Sequence, residues 1–301
     1  MILSLRQIKR RIRSVENTQK ITRAMKMVST AKFKRSEAML YTGRPYYLKL
    51  DSILQKLLLS LKPEELRMHP LLEERAEKKT LAVCAITSDS GLCSAYNNDI
   101  IRITEDFIKQ RGKENIKLIA IGRKGFAYFA KRGIKIAKSY IGLHGRYSPE
   151  IADKIAGDIV DIFLSGEADE VYIAHTHFGA AAKYHTRVRR FLNIAPAPAG
   201  VRTFEPPKPA VAEGEIEFIA EPSIEKILKD LLPRYVSVKM RLILLDAFTS
   251  EHSARMIAMQ TATENAVELI DSLTLLRNKA RQASITGEVL QVSAAAEALK
   301  G

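Results

Sequence analysis

Apolar residues recur at alternating steps of three and four at both ends of this 301-residue chain, with polar positions between them. Near the N-terminus the series runs Leu5, Ile8, Ile12, Val15, Ile21 or Thr22, Met25 and Val28, and no Gly or Pro interrupts residues 1–42. Such spacing predicts a helix with a narrow apolar seam, the geometry of a coiled coil rather than of a helix lying on a broad core. Gly43 and Pro45 are expected to end this first stretch, and a further apolar helical run follows at 48–61. The C-terminal series is longer: Leu228, Leu231, Tyr235, Val238, Leu242, Leu245, Met256, Met259, Ala266, Ile270 and Leu273. Thr249, His252 and Thr263 occupy seam positions within it, so the seam weakens without breaking. Residues 234–286 lack Gly and Pro; a helix of that length is a rod of roughly 80 Å, against roughly 60 Å at the N-terminus. Rods of that length do not fit inside one domain. The economical arrangement pairs the two ends antiparallel as a stalk.

The texture between the ends is different. Strand-like runs stand at 81–87, 116–121, 134–141, 171–177 and 186–192, and helical segments at 96–111, 123–131 and 150–164, the last opened by Ser148 as N-cap and Pro149 in the first turn. The order β-α-β-α-β-α-β-β predicts a mainly parallel, Rossmann-like α/β sheet covered by helices, with the final two strands forming a hairpin across the loop 178–183. The expected fold class is therefore α/β, a long antiparallel coiled coil plus a central α/β domain. Its parts are an N-terminal helix at 1–61, a charged linker at 62–79, the α/β domain at 80–195, a Pro-rich linker at 196–215 and a C-terminal helix at 216–301.

A hydrophobic content of 46% is that of an ordinary globular chain and argues against disorder. No apolar run approaches the ~18 residues of a membrane span, and no signal-peptide core precedes the first basic residues. Cys84 and Cys93 read as reduced thiols rather than a disulfide framework. The net charge of +14 matters through its placement, because the first 35 residues carry eleven Lys or Arg against the single acid Glu16. That asymmetry points to a nucleic acid, an anionic membrane surface or an acidic protein face. The basic residues flank the seam along its length instead of preceding it, which favours a solvated or protein-facing surface over a zipper-type DNA reader.

Candidate chemistry is sparse. Neither GxGxxG nor GxxxxGK[ST] occurs. The loop Thr87-Ser88-Asp89-Ser90-Gly91-Leu92-Cys93-Ser94 and the turn Gly122-Arg123-Lys124-Gly125 could offer backbone N–H groups to an anion, although strand-to-helix turns need such residues in any case. Cys93 has no local signature pairing it with His144, His175 or His185 as a base. His175 and His177 share a strand face with His185 on the next strand, a pattern that more often belongs to a solvated sheet face than to zinc. No cofactor, metal or catalytic residue is predicted. An α/β enzyme with helical arms and a basic coiled-coil nucleic-acid binder remain the competing readings.

Three motifs change the picture. The segments Ile8-Lys9-Arg10-Arg11-Ile12 and Ser14 to Val28, the central Ser88-Asp89-Ser90-Gly91-Leu92-Cys93, and the C-terminal runs Ser250 to Met259 and Asn278 to Thr286 appear in this order over nearly the whole chain. Together they resemble the γ subunit of F-type ATP synthases, of the bacterial type. The resemblance implies a non-catalytic central-stalk rotor subunit. It would transmit torque between the membrane c-ring and the α and β subunits of the catalytic hexamer, regulating ATPase activity and proton flow, with catalysis on β. It places Met25 and Lys26, then Glu251 and Arg255, then Arg281 and Gln282, in segments meeting β. It places Lys34, Arg35 and Phe218 toward the ε subunit and c-ring. Nucleic acid is not an implied partner. Association with the membrane would be peripheral, on the cytoplasmic face of the bacterial inner membrane, and the Pro-rich linker lacks the cysteines of the chloroplast form's switch. Ser90 replaces a frequent basic residue and Ser94 a usual Gly, so a tight positive-φ turn at 94 is not expected. The alanine-rich tail at 292–299 lacks the usual glycine and should extend the helix toward the end.

Overall fold

The computed structural model describes residues 4–61, 64–65, 69–75, 79–179, 184–194 and 223–298. The chain forms two compact units, Met1–Thr30 with Arg255–Gly301, and Ala31–Ala254. Helices α1 (Leu5–Ser60) and α5 (Ile224–Ala298) contribute to both. The smaller unit is an antiparallel helix pair. Ile8, Ile12 and Leu273 form its apolar cluster, with Val15 and Ala280 packed against it, and the Thr263 hydroxyl donates to the Thr22 hydroxyl at 2.9 Å.

The buried positions of α1 correct the expected seam. Thr22, Ser29 and Ser36 are buried while Ile21 and Val28 are exposed, at 60% and 57%. The seam follows the sevenfold spacing 8, 15, 22, 29, 36 with small polar residues at three of its steps, and the nearby β-branched residues face outward. Small side chains let two helix backbones approach, and the hydroxyls of Thr22 and Ser36 are satisfied by their own helix, at Gln19 O and at Lys32 O or Phe33 O.

Gly43 and Pro45 do not end α1, and Pro233 likewise lies inside α5. A mid-helix proline costs about 3 kcal/mol. Both prolines are exposed, and the apolar face beside them is fully seated. Leu40, Tyr47, Leu50, Leu54 and Leu58 join Leu228, Leu232 and Tyr235 in the main core. Tyr47 stacks on Tyr235 with ring centroids 5.9 Å apart, and Tyr235 donates to Asp51 Oδ1 at 2.7 Å. Tertiary burial overrides the local breaker.

The larger unit holds a five-stranded sheet. Its strands are β1 (Leu81–Ile86), β2 (Ile116–Ile121), β3 (Ile136–Tyr140), β4 (Glu170–Phe178) and β5 (Tyr184–Leu192), in the order β3-β2-β1-β4-β5. The first four are mutually parallel and β5 runs antiparallel to β4. Helices α2 (Tyr96–Arg111), α3 (Arg123–Lys131) and α4 (Pro149–Leu164) complete it. Alternation along β1 splits the interior in two, as a strand buried on both faces requires. Ala82, Cys84 and Ile86 face the core shared with α4, α1 and α5, and Leu81, Val83 and Ala85 face the core shared with α2 and α3. Burial pushes the Cys84 thiol up to about 12, so it is a neutral core side chain. The hairpin loop lies largely outside the described residues, as does the Pro-rich linker. In the charged segment before β1, Arg75 is docked rather than solvated: its guanidinium donates to Phe163 O, Ala168 O and Asp169 Oδ1 at 2.7, 3.0 and 3.0 Å.

Charged side chains are buried beside the main core, and Lys239 is one of them. Lys239 of α5 is buried, 3.5 Å from Phe191 O and over the rings of Phe191 and Tyr235. Burial lowers its pKa to about 8; Asp51 of α1 opposes the shift, and Arg190 and Arg189 of β5 add to it. The unfolded chain keeps that proton up to its ordinary value of 10.5, so stability rises with pH between 8 and 10.5, and below 8 the fold carries the whole penalty, about 3 kcal/mol. Lys239→Met should therefore raise unfolding stability at pH 7 by about 1–3 kcal/mol and abolish its share of the rise above pH 8. Denaturant titrations at pH 7 and 10 measure both, and a destabilised variant with an unchanged pH slope would contradict the assignment.

Candidate functional site

In a parallel α/β sheet the carboxyl ends of the strands are where ligands ordinarily bind. Here the chain's own side chains fill that position. Asp89, in the loop after β1, accepts the backbone N–H groups of Arg123, Gly142 and His144 at 3.0, 2.9 and 2.7 Å. Thr87 Oγ1 accepts Gly125 N at 2.9 Å and donates to Ile121 O. Gly122, at φ +88°, passes so close that a Cβ would stand 2.2 Å from Thr87 O. The N–H groups of Arg123 and Gly125 at the start of α3, offered to an anion on sequence grounds, are thus occupied internally. Burial works to raise the Asp89 carboxyl, but the three N–H donors outweigh it and hold it below the usual range.

The rest of the loop is equally committed to structure. Asn97 Oδ1 accepts Ser88 N at 2.9 Å, and its Nδ2 donates to Cys93 Sγ at 3.1 Å. Cys93 is buried and serves as a packing group. Ser94 adopts φ +52°, so the positive-φ turn persists without the glycine.

This loop cluster reaches the long helices. The segment held by Asp89 carries His144, whose carbonyl accepts from Lys32 Nζ of α1 at 3.3 Å, and Gly145, whose carbonyl lies 2.9 Å from His252 Nε2 of α5. Gly145, at φ +64°, lies so near that a Cβ would meet His252 Cε1 at 2.6 Å. Further along α5 each neighbouring element takes a hold. Asp153 of α4 accepts from Arg241 Nε at 2.7 Å and from Ser237. Tyr96 of α2 donates to Ala247 O at 3.1 Å. Asp246 accepts Phe178 N at 3.0 Å and lies 2.7 Å from His177 Nδ1. Ser250 donates to Thr176 O at 3.1 Å, and Tyr184 of β5 donates to Ser253 Oγ at 2.7 Å. His175 and His177 do share a face, but it is the face covered by α5, not a solvated one. Among the described residues no group of three metal-capable side chains converges.

Thr249 and His252 acquire a different meaning here. Both are essentially inaccessible, at 0% and 1%. What reads as a fading seam is the stretch that the α/β sheet and its loops enclose.

The residues anticipated to contact partners are dispersed. Met25 and Lys26 are half-buried on α1, and Arg281 and Gln282 are exposed on α5. The Thr22–Thr263 contact sets the register, placing Arg281 level with the start of α1 and so roughly 30 Å along the pair from Met25. Arg255 is buried, and Glu251 is 1% exposed within the larger unit. Lys34 and Arg35 are exposed on α1. Phe218 lies outside the described residues. Sequence reasoning missed the outward apolar positions of the smaller unit, among them Met27, Leu275, Leu290 and Val292, all more than half exposed. Met27 and Leu275 lie on the pair itself, and Leu290 and Val292 lie on α5 past the level at which α1 begins. Their signal was present as hydrophobic residues off the seam.

The profile of the family described as ATP synthase matches residues 4–299. An ATP synthase gamma chain from an Anaeromyxobacter species is 41% identical over 99% of both chains. One from Moorella thermoacetica is 41% identical over 98% of this chain and 99% of its own. Among solved structures, a chain of the Euglena gracilis mitochondrial ATP synthase containing OSCP, F1 and c-ring superposes with a TM-score of 0.66 at 15% identity, covering 98% of this chain and 94% of that one. A chain of the Tetrahymena thermophila central stalk and c-ring gives 0.59 at 22% identity, covering 80% and 99%.

The loop cluster makes a direct prediction. Asp89→Ala strands three backbone N–H groups and should cost about 2–4 kcal/mol of stability, with faster amide exchange at Arg123, Gly142 and His144. Because the folded carboxyl is held low, this contribution is complete above about pH 4 and fades only as pH falls further. Unchanged exchange at all three amides would remove Asp89 from this role.

Proposed function

The chain belongs to the ATP synthase gamma-chain family, and from that membership we propose that it is the central-stalk rotor subunit, carrying torque between the membrane c-ring and the catalytic hexamer. It is not the catalyst; ATP turnover belongs to the complex. The observation that carries the reading is the enclosure of α5 from Leu242 to Ser253 by hydrogen bonds from α2, β4, β5 and the loop after β3. A twist applied to the α/β domain is resisted by directional bonds to the helix, not by sliding apolar contacts. The occupied strand ends count against an enzyme with a ligand site there.

The helix pair of the smaller unit supplies the partner surface. Its cationic stretch, with eight Lys or Arg in residues 1–30, suits an acidic sleeve of α and β subunits. Met25, Lys26, Arg281 and Gln282 offer accessible side chains for β, whereas Glu251 and Arg255 are enclosed and would act by positioning. Lys34, Arg35 and Phe218 are assigned to the ε subunit and c-ring. No helix among the described residues is long and apolar enough to cross a membrane, which suits a peripheral place in the complex, on the cytoplasmic face of the bacterial inner membrane.

Exposed contacts of this kind contribute about 0–1 kcal/mol each, which suits a rotor that must leave each of three equivalent stations. Co-expression with α, β and ε should yield a stoichiometric complex with ATPase activity, and failure of the full chain to co-purify would sink the rotor reading. Within that complex Arg281→Ala with Gln282→Ala should alter turnover or rotation rate by up to about fivefold. If turnover, rotation and assembly all stay unchanged, the assigned β contact is wrong.

A further inference from the structure

On α5, Lys239 and Asp246 stand seven residues apart, two helical turns, and both are buried. Two turns span roughly 10 Å along the axis, too far for a direct ion pair. A cavity of about 10 Å³ lies between α5 and strands β4 and β5, lined by His175, Arg189, Arg190, Phe191 and Lys239 with isoleucine walls. That is about the space one water molecule requires, and a water needs at least two polar partners.

Two such partners line this cavity. The Lys239 ammonium has three protons, and among the described residues it finds one oxygen acceptor, Phe191 O, at the long distance of 3.5 Å. His175 is 5% exposed, and its Nδ1 is buried with no hydrogen-bond partner among the described residues. The other ring nitrogen, Nε2, faces Asp246 Oδ2 at 3.7 Å. A proton on Nε2, toward the carboxylate, leaves Nδ1 as an acceptor. Asp246 is otherwise held by His177 Nδ1 and Phe178 N.

We propose that a single water molecule occupies this cavity, accepting a hydrogen bond from the Lys239 ammonium and donating one to His175 Nδ1. The ammonium is thereby linked through water to the imidazole, whose Nε2 faces the Asp246 carboxylate across 3.7 Å, as a polar ladder between α5 and β4. A halide suits the two arginines and the ammonium electrostatically, but it has no proton to give to an acceptor nitrogen. The ladder also accounts for two opposite charges being kept on one buried helix face without touching. Each is costly alone, and the water's bonds to ammonium and imidazole, with the imidazole Nε2 facing the carboxylate, recover part of that cost.

The test is a high-resolution crystal structure of the full chain, collected from native and bromide-soaked crystals and from Lys239→Met. The expected result is one isolated solvent peak within about 2.7–3.2 Å of both His175 Nδ1 and Lys239 Nζ, without bromide anomalous signal, and lost in Lys239→Met. An empty cavity, a bromide peak in it, a direct Lys239–His175 bond, or a peak retained in Lys239→Met would each overturn the proposal.

Discussion

The larger unit depends on the complete enclosure of one stretch of helix α5. From Leu242 to Ser253 every residue is buried, which a helix paired with a single neighbour cannot achieve. Packing against α1 uses one face, and the sheet with its loops must cover the others. The sequence prepares for this by placing Asp246, Thr249, Ser250, His252 and Ser253 among the apolar positions. Each of these side chains has at least one named hydrogen-bond partner, which offsets part of the cost of burying it. Partly satisfied, the same stretch would be a liability.

That enclosure explains the use made of the sheet. An α/β fold usually reserves its strand ends for a ligand. Here Asp89 and Thr87 close those ends, and the segment that Asp89 holds passes its carbonyls to Lys32 and His252. The position that would bind a nucleotide in another protein grips a helix in this one. Fold and function separate at this point, as they do across many α/β domains.

The smaller unit solves the opposite problem. Its seam relies on Thr22 and Ser29 as much as on Ile8 and Ile12, while Ile21, Met27, Val28, Leu275 and Leu290 point outward. A seam of small residues buries little apolar area, and larger hydrophobic side chains remain exposed on the pair.

The sequence by itself determined the long helices, the alternating β-α order, the parallel sheet with its terminal antiparallel strand, and the family, because periodicity and motif order are local properties. Strand bounds at 116–121 and helix bounds at 96–111 and 123–131 follow from them directly. Only the tertiary structure decided three matters. It carried α1 through Gly43 and Pro45, because burial of Leu40, Tyr47 and Leu54 outweighs a local breaker. It chose Thr22 over Ile21 and Ser29 over Val28, because which helical face is buried depends on the partner's shape and not on hydrophobicity alone. It turned Thr249 and His252 from weak seam positions into the centre of the grip, because a polar residue reads as exposed until the hydrogen-bond partner that lets it be buried arrives from a distant part of the chain.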